Sequence, residues 1–314
     1  MKILVTGAAG FIGSHLCKLF LKRKYEVFGI DNFITGSEKN IEELKQLNNF
    51  HFFSDDIQKF DFSELPSIDI AYHLASPASP IQYKKYPIET LLTNSQGTYR
   101  VLEYMKKSES KIFVLASTSE VYGDPLIHPQ KETYFGNVNP NGVRSCYDEG
   151  KRFSESLTMS YFRKYNIDIR IARIFNTYGP NMEKDDGRVV SNFIMQALTN
   201  KNITIYGNGT QTRSFCYISD MVEGLFRLGT IDNLAGQVIN LGSTYEKSIN
   251  ELANIIKNIT KSSSKIIKFN IEEDDPKKRR PDLSKAKTLL KWETKVLLKQ
   301  GLNKTIDYFK KMFV

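Results

Sequence analysis

The sequence is poor in the residues that build metal centres and disulfide frameworks. Only three cysteines occur in 314 residues, Cys17, Cys146 and Cys216, far apart and with no CxxC pair. So sparse and odd a set excludes a disulfide scaffold and suits a reducing compartment. The four histidines, His15, His51, His73 and His128, have no metal-ligand spacing, so no zinc or iron site is expected. No apolar run approaches the roughly 20 residues of a membrane span. The opening run, Met1 to Gly7, is too short for a signal-peptide core and reads as a buried strand. A cytoplasmic location is expected. Internal repeats are also lacking.

Acidic residues are in deficit: 44 Lys and Arg stand against 35 Asp and Glu, a formal net charge of +9. Such an excess suits nucleic acid, an anionic membrane or an anionic small ligand. Most of the lysines are scattered over helix faces, as in Lys299, Lys304, Lys310 and Lys311. The densest run, Lys277-Lys278-Arg279-Arg280, directly follows the acidic Glu272-Glu273-Asp274-Asp275 with one proline between them. An acid-to-base switch is unlike a continuous nucleic-acid stripe, and no nucleic-acid or membrane partner is expected.

Short β-rich runs alternate with helical patterns through the first half. Strands are expected at Lys2–Thr6, Glu26–Asp31, His51–Ser54, Asp69–Leu74, Lys111–Ala116 and Asp168–Arg173, with helical segments at Gly13–Arg23 and Pro87–Lys107. This βαβα order predicts an α/β fold, a doubly wound parallel sheet of the Rossmann type. After Asn176 glycine and asparagine punctuate the chain more often. A helix is expected over Val189–Leu198, strands over Ile203–Tyr206 and Val238–Leu241, and helices capped by Ser248 and Ser284. Leu297–Phe309 is helical in period. The expected division is a dinucleotide domain over 1–176, with return segments from about 214–242, and a smaller mixed α/β substrate domain over 177–314.

Between the first strand and first helix stands Gly7-Ala8-Ala9-Gly10-Phe11-Ile12-Gly13. Glycines here permit a tight turn and close approach of a pyrophosphate to unpaired N–H groups at the helix N-terminus. Asp31, ending the second strand, is spaced to bind the adenosine ribose hydroxyls. A carboxylate there repels a 2′-phosphate, so NAD is preferred over NADP. Asp56-Ile57 and Leu74-Ala75-Ser76 fall at strand C-terminal ends, where such sheets bind ligands. Asp56-Ile57 fits a helix cap and a core residue equally well.

Tyr147 and Lys151 are four apart in a helical stretch and share one face. An ammonium beside a phenol favours the phenolate, and a positive nicotinamide adds to this. Such a tyrosine can take a proton from a substrate hydroxyl while hydride leaves the same carbon. Alone, a Tyr/Lys pair is usually inconsequential surface chemistry. It gains weight from Ser117-Thr118-Ser119-Glu120, which follows a strand and can reach the same crevice.

The GxxGxxG start, a Ser/Thr after the fifth strand and a YxxxK pair together resemble the extended short-chain dehydrogenase/reductase family, from Met1 to about Phe309. Within it, the likeness is greatest to the branch that decarboxylates UDP-glucuronate. It is carried by His73–Pro80, Ser117–Pro125, Cys146–Arg152, Arg173–Pro180, Asp186–Ile194 and Asp274–Asp282. The resemblance implies oxidation at sugar C4, loss of CO₂ from the β-keto acid, and reduction to UDP-xylose with NAD retained. It implies Tyr147 as acid–base tuned by Lys151, Thr118 on the C4 oxygen, and Arg279 on the sugar carboxylate. Ser119 stands where related 4,6-dehydratases carry aspartate, and a neutral residue there does not repel a carboxylate. The role of Glu120 stays open between binding the sugar and managing a proton. Asn32, Thr35, Gly36 and Thr93 complete the expected cofactor contacts. Asn176, Arg188, Tyr206, Gln211 and Arg213 are expected UDP-sugar contacts, Arg213 on the pyrophosphate. The resemblance also implies a homodimer, joined in a four-helix bundle by the helix from Lys151 and the one around Leu91–Lys106. Competing expectations are a UDP-sugar 4-epimerase, a 4,6-dehydratase, or an inactive NAD(H)-sensing protein.

Overall fold

Ile3, Leu4 and Val5 are all completely buried, which requires a strand covered on both faces. In the computed structural model, which describes residues 1–108, 110–270 and 276–312, that strand is β1 (Lys2–Thr6). It is followed by β2 (Glu26–Ile30), β3 (Phe50–Phe53), β4 (Ile70–His73), β5 (Ile112–Thr118) and β6 (Asp168–Ile174). Then come β7 (Thr177–Tyr178), β8 (Ile203–Tyr206), β9 (Thr212–Ser214), β10 (Cys216–Tyr217) and β11 (Gln237–Leu241). The main sheet has seven parallel strands in the order β3-β2-β1-β4-β5-β6-β11. Strand order reverses between β1 and β4, and a crevice opens at the C-terminal ends beside such a switch point.

The helices are α1 (Phe11–Lys22), α2 (Pro80–Lys85), α3 (Pro87–Leu92), α4 (Thr98–Lys107) and α5 (Ser145–Tyr165) in the first half. They continue as α6 (Val189–Leu198), α7 (Ile218–Thr230), α8 (Ile249–Thr260), α9 (Ser284–Leu290) and α10 (Leu298–Lys310). Alternate residues of β1 feed two cores, as the period of two requires. Ile3 and Val5 pack with Leu16 and Phe20 of α1 and Met221 and Leu225 of α7. Leu4 packs on the other side with Val101, Leu102 and Met105 of α4. Helices therefore cover both faces, the doubly wound arrangement expected. The later strands β12 (Glu246–Ser248), β13 (Ile266–Phe269) and β14 (Lys278–Arg279) form small separate sheets, β12-β9-β14 and β13-β8.

Four local expectations need correction. The segment Pro87–Lys107 is not one helix, because a π-type turn at Thr93–Gly97 separates α3 from α4. Helix α2 just before it was not foreseen. Strand β5 runs two residues further than expected, so Thr118 is its last residue and does not follow it. Ser284 does not cap α9: it is the first helical residue, and its N–H donates to Asp282 Oδ1 at 2.8 Å. Ser248 does cap α8, in a capping box with Glu251. Glu272 to Asp275, with the start of the Asp274–Asp282 stretch, lie outside the described residues.

Candidate active site

The crevice holds a cavity of about 420 Å³ that runs from the Gly7–Gly13 turn to β8, β9 and β14. A second, of about 70 Å³, adjoins it beside Asp31, Asp56, Ala75 and Thr93. Among the expected site residues only Gly36 lines neither cavity. It sits behind Asp31, where a Cβ would meet Oδ1 at 2.8 Å.

The turn after β1 is built to admit an anion. Gly7 has φ +73°, and a Cβ there would lie 2.9 Å from the backbone of Leu74 and Ala75. A Cβ on Gly13 would lie 2.0 Å from the Gly7 carbonyl oxygen. The first turn of α1 has no capping side chain and no acidic residue, so its orphan N–H groups face the cavity with the positive end of the helix. Asp31 is buried and accepts from Ala9 N at 3.0 Å and Phe33 N at 2.8 Å. Burial pushes its carboxyl up, opposed by the N–H donors of Phe33, Ala9 and Gly10. A pyrophosphate at the helix end and a ribose at Asp31 are what this frame fits. The π-type turn carries Thr93 to the second cavity and lets Asn94 Nδ2 donate to Ser76 Oγ at 2.9 Å.

Across the crevice, β5 delivers Thr118 and α5 delivers Tyr147 and Lys151, all three buried. Thr118 stands beside Tyr147 and favours its phenolate. Lys151 Nζ lies 5.9 Å from the Tyr147 ring centre and donates to the Ala116 carbonyl at 2.9 Å. The four-residue spacing does place both side chains on one face. Their electrostatics depart from expectation. Burial pushes the Tyr147 phenol up, opposed chiefly by the neighbouring Thr118. Burial pushes the Lys151 ammonium down to about 7, opposed by Glu155. Desolvation of the two enclosed groups dominates both shifts.

A stability consequence follows for Lys151. Its folded value is depressed below the unfolded one, so the unfolded chain binds the extra proton between about pH 7 and 10. Stability should therefore rise with pH across that window through this group. Lys151→Met is expected to melt higher than the wild type at pH 6, by up to a few kcal/mol, and to lose that advantage near pH 10. Melting curves across this range check it; an equal offset at both ends would contradict it.

Ser119 opens the turn beyond β5, and Glu120 after it lies partly buried between two guanidinium groups. Its Oε2 accepts from Arg144 Nη2 at 2.6 Å, and its Oε1 pairs with Arg279 Nη1. Burial alone would raise this carboxyl, but Arg144 and Arg279 hold it below the usual range. Arg279 also donates from Nη2 to the Gly123 carbonyl at 3.2 Å, while its Nε is buried with no partner among the described residues. Lys277 and Lys278 are exposed, as expected of a solvated loop, whereas Arg279 is buried. Ser119 is buried beside Glu120 and lines the cavity.

The expected UDP-sugar contacts ring the far end. Arg188 pairs with Asp186 and stands 5.5 Å over the Phe11 ring. Gln211 Nε2 donates to the Tyr206 carbonyl at 2.7 Å, and Arg213 is buried on β9. Asn176 lines the same cavity. Cys146 is no nucleophile: it is buried, its thiol pushed up by burial, and its S–H donates to the Tyr83 carbonyl at 3.5 Å.

Sequence reasoning missed Tyr83, Arg144, Asp148, Glu155 and Asp186. Tyr83 stacks on Tyr147 at 5.1 Å with rings 6° from parallel. Glu155 accepts from Ser117 Oγ at 2.5 Å and from Arg173 at 2.8 Å. One signal was available for Arg144 and Glu155: each is one helical turn from a residue already singled out, three before Tyr147 and four after Lys151. Among the described residues no cluster of His, Cys, Asp and Glu could hold a metal ion.

A seven-stranded parallel sheet, an uncapped glycine turn and a buried Thr/Tyr/Lys group define a dinucleotide-dependent enzyme. The chain belongs to the NAD dependent epimerase/dehydratase family, whose model matches residues 3–242. It is 53% identical to UDP-glucuronic acid decarboxylase 6 of Arabidopsis thaliana over 96% of this chain and 87% of that protein. It is 48% identical to UDP-glucuronic acid decarboxylase 1 of Xenopus tropicalis, covering 99% of this chain and 72% of that one. Among solved structures, UDP-glucuronic acid 4-epimerase from Bacillus cereus, in complex with UDP-glucuronic acid and NAD, superposes with a TM-score of 0.92. It shares 36% identity over 99% of this chain and 100% of the other.

Proposed function

We propose that the protein decarboxylates UDP-glucuronate to UDP-xylose and CO₂ with NAD held throughout. The observation that carries this reading is one cavity shared by a buried Thr118–Tyr147–Lys151 group and the buried Arg279, in a chain about half identical to decarboxylases named for that substrate. NAD would lie along Gly7, Gly10, Phe11, Ile12 and Gly13, with its adenosine ribose on Asp31 and its adenine side near Asn32, Asp56, Ile57 and Thr93. Bound there, it supplies a hydride acceptor and donor at the sugar C4. Residues 1–176, with the return over about 214–242, would bind the cofactor, and 177–314 mainly the UDP-sugar.

The protein's own groups divide the remaining work. Thr118 holds the C4 oxygen, and Tyr147 removes the C4 hydroxyl proton. With a ketone at C4, the C5–C6 bond breaks, CO₂ leaves, and the electron pair passes through C5 to the C4 oxygen. The donors that held this oxygen stabilise the enolate charge. C5 then gains a proton, and Tyr147 returns one to the C4 oxygen. Arg279 offers its unpartnered Nε–H to the sugar carboxylate, and neutral Ser119 leaves that anion unopposed. Arg213 takes the pyrophosphate, while Asn176, Arg188, Tyr206 and Gln211 orient the uridine and sugar.

Incubation with UDP-glucuronate and NAD, followed by NMR of the sugar nucleotides, tests the reading. UDP-xylose and CO₂ are expected; an epimer that keeps its carboxylate would replace the decarboxylase with a 4-epimerase.

A homodimer completes this reading. Ile88 and Leu91 of α3, Tyr99 of α4, and Phe153 and Tyr165 of α5 are large apolar side chains left exposed on helices that pack together. A second copy would cover them in a four-helix bundle. Sedimentation should give a dimer for the wild type and a monomer for Phe153→Glu combined with Ile88→Glu; a monomeric wild type would contradict the assignment. Among the described residues no helix is long and apolar enough to cross a membrane. The three cysteines are free and buried, which supports a cytoplasmic location.

A further inference from the structure

Asp148 follows Tyr147 on α5, and nothing in the reaction above uses it. It is only 6% exposed, and its Oδ1 is buried with no hydrogen-bond partner among the described residues. Its neighbour Glu120 differs in one respect: both Glu120 oxygens are engaged by arginines. Two carboxyl groups thus share one cluster, and the less buried of them has taken the partners. A buried carboxylate with an unpartnered oxygen costs several kcal/mol, and the group avoids that cost by keeping its proton. The cluster is therefore asymmetric, with Glu120 ionised and Asp148 a neutral acid.

The charged groups around Asp148 pull in both directions. Glu120 faces it from the turn after β5, Arg279 from β14, and Arg144 and Glu149 from its own helix. Tyr83 of α2, Cys146 and Tyr147 also lie within its electrostatic reach. Burial, reinforced by Glu120 and Glu149, pushes Asp148 well above the carboxylate range, against the pull of Arg144 and Arg279.

We propose that Asp148 is a positioning residue for substrate charge: it must carry its proton for a sugar carboxylate to enter the Glu120–Arg279 pocket, and it can release that proton once the carboxylate has left as CO₂. This rests on the reading of the substrate as UDP-glucuronate. The physical link is repulsion. An ionised Asp148 adds a second anion next to Glu120, and like charges about 12 Å apart in an effective dielectric of about 20 repel by roughly tenfold in affinity. Thermodynamic reciprocity then makes a ligand with a sugar carboxylate raise the Asp148 proton affinity more than a product that has lost that carboxylate. Asp148 touches neither reacting carbon; it acts through the Glu120 and Arg279 charges.

The test uses full-length protein loaded with NADH, so that UDP-glucuronate binds without turning over. Calorimetry gives Kd for UDP-glucuronate and for UDP-xylose from about pH 6 to about pH 9.5. Their ratio cancels effects, such as Lys151 titration, that act alike on both ligands. In the wild type the ratio is expected to rise about tenfold with pH as Asp148 ionises. In Asp148→Asn it should stay flat. A wild-type ratio that does not change, or an equal rise in the variant, overturns the proposal. A second measurement needs no variant to fold. With aspartate labelled at Cγ, one ¹³C resonance should titrate above neutrality. It should move to higher pH with UDP-glucuronate and not with UDP-xylose; coincident shifts with both ligands also overturn it. If instead the wild type makes no CO₂ from UDP-glucuronate, the substrate reading has failed, and that assay is separate from these.

Discussion

Tyr147→Phe is expected to lower kcat by about a thousandfold while leaving the affinity for UDP-glucuronate within about threefold. The ring stacks on Tyr83 at 5.1 Å, and phenylalanine keeps that contact. What goes is the phenolic hydroxyl, which stands beside Thr118 at the cavity wall. Loss of kcat with little change in binding is the mark of a group used in the chemical step and not in ground-state binding. Because burial pushes this phenol up in the free protein, the phenolate must be favoured by the positive cofactor ring and by Lys151 in its charged state. Activity within tenfold of the wild type would remove Tyr147 from its role. Steady-state kinetics alongside calorimetry separates the two effects.

Arg279→Gln is expected to be nearly as damaging, by a different route. It removes one of the two guanidinium groups that hold Glu120 and the unpartnered Nε offered to the substrate carboxylate. Stripping one member from a buried ion pair costs about 3–5 kcal/mol of stability, so Tm should fall by several degrees. The kcat/KM for UDP-glucuronate should fall by about a hundredfold or more, as for loss of a buried charged partner. Binding of UDP-xylose, which has no carboxylate, should change by less than about threefold. Equal losses for both ligands would show that Arg279 acts only on stability.

The sequence carries the cofactor half of this site better than the other half, for a geometric reason. Gly7 to Asp31 is one continuous strand–turn–helix–strand unit, so spacing along the chain is spacing in space. Tyr147 and Lys151 are legible for the same reason: one helix fixes their relation. The cluster around Glu120 is different. Its members come from the turn after β5, the start of α5 and β14, and Arg279 and Glu120 are 159 residues apart. No period or local motif encodes such a meeting, which is why the role of Glu120 stays open from sequence and Asp148 goes unnoticed. Short elements hide similarly. Strands β9, β12 and β14 have two or three residues each, too few for an alternation to register. The π-type turn inside Pro87–Lys107 keeps nearly helical spacing, so a helical pattern runs through it unbroken.

In the proposed reaction one site oxidises C4, loses CO₂ and reduces the same carbon before releasing its product. Its most direct test is the fate of deuterium placed at C4 of UDP-glucuronate, read by NMR of the UDP-pentose formed over many turnovers on substoichiometric NAD. The deuterium is expected at C4 of UDP-xylose, with a solvent-derived proton at C5. A product with protium at C4, or turnover that stops when NAD is consumed one for one, would contradict it.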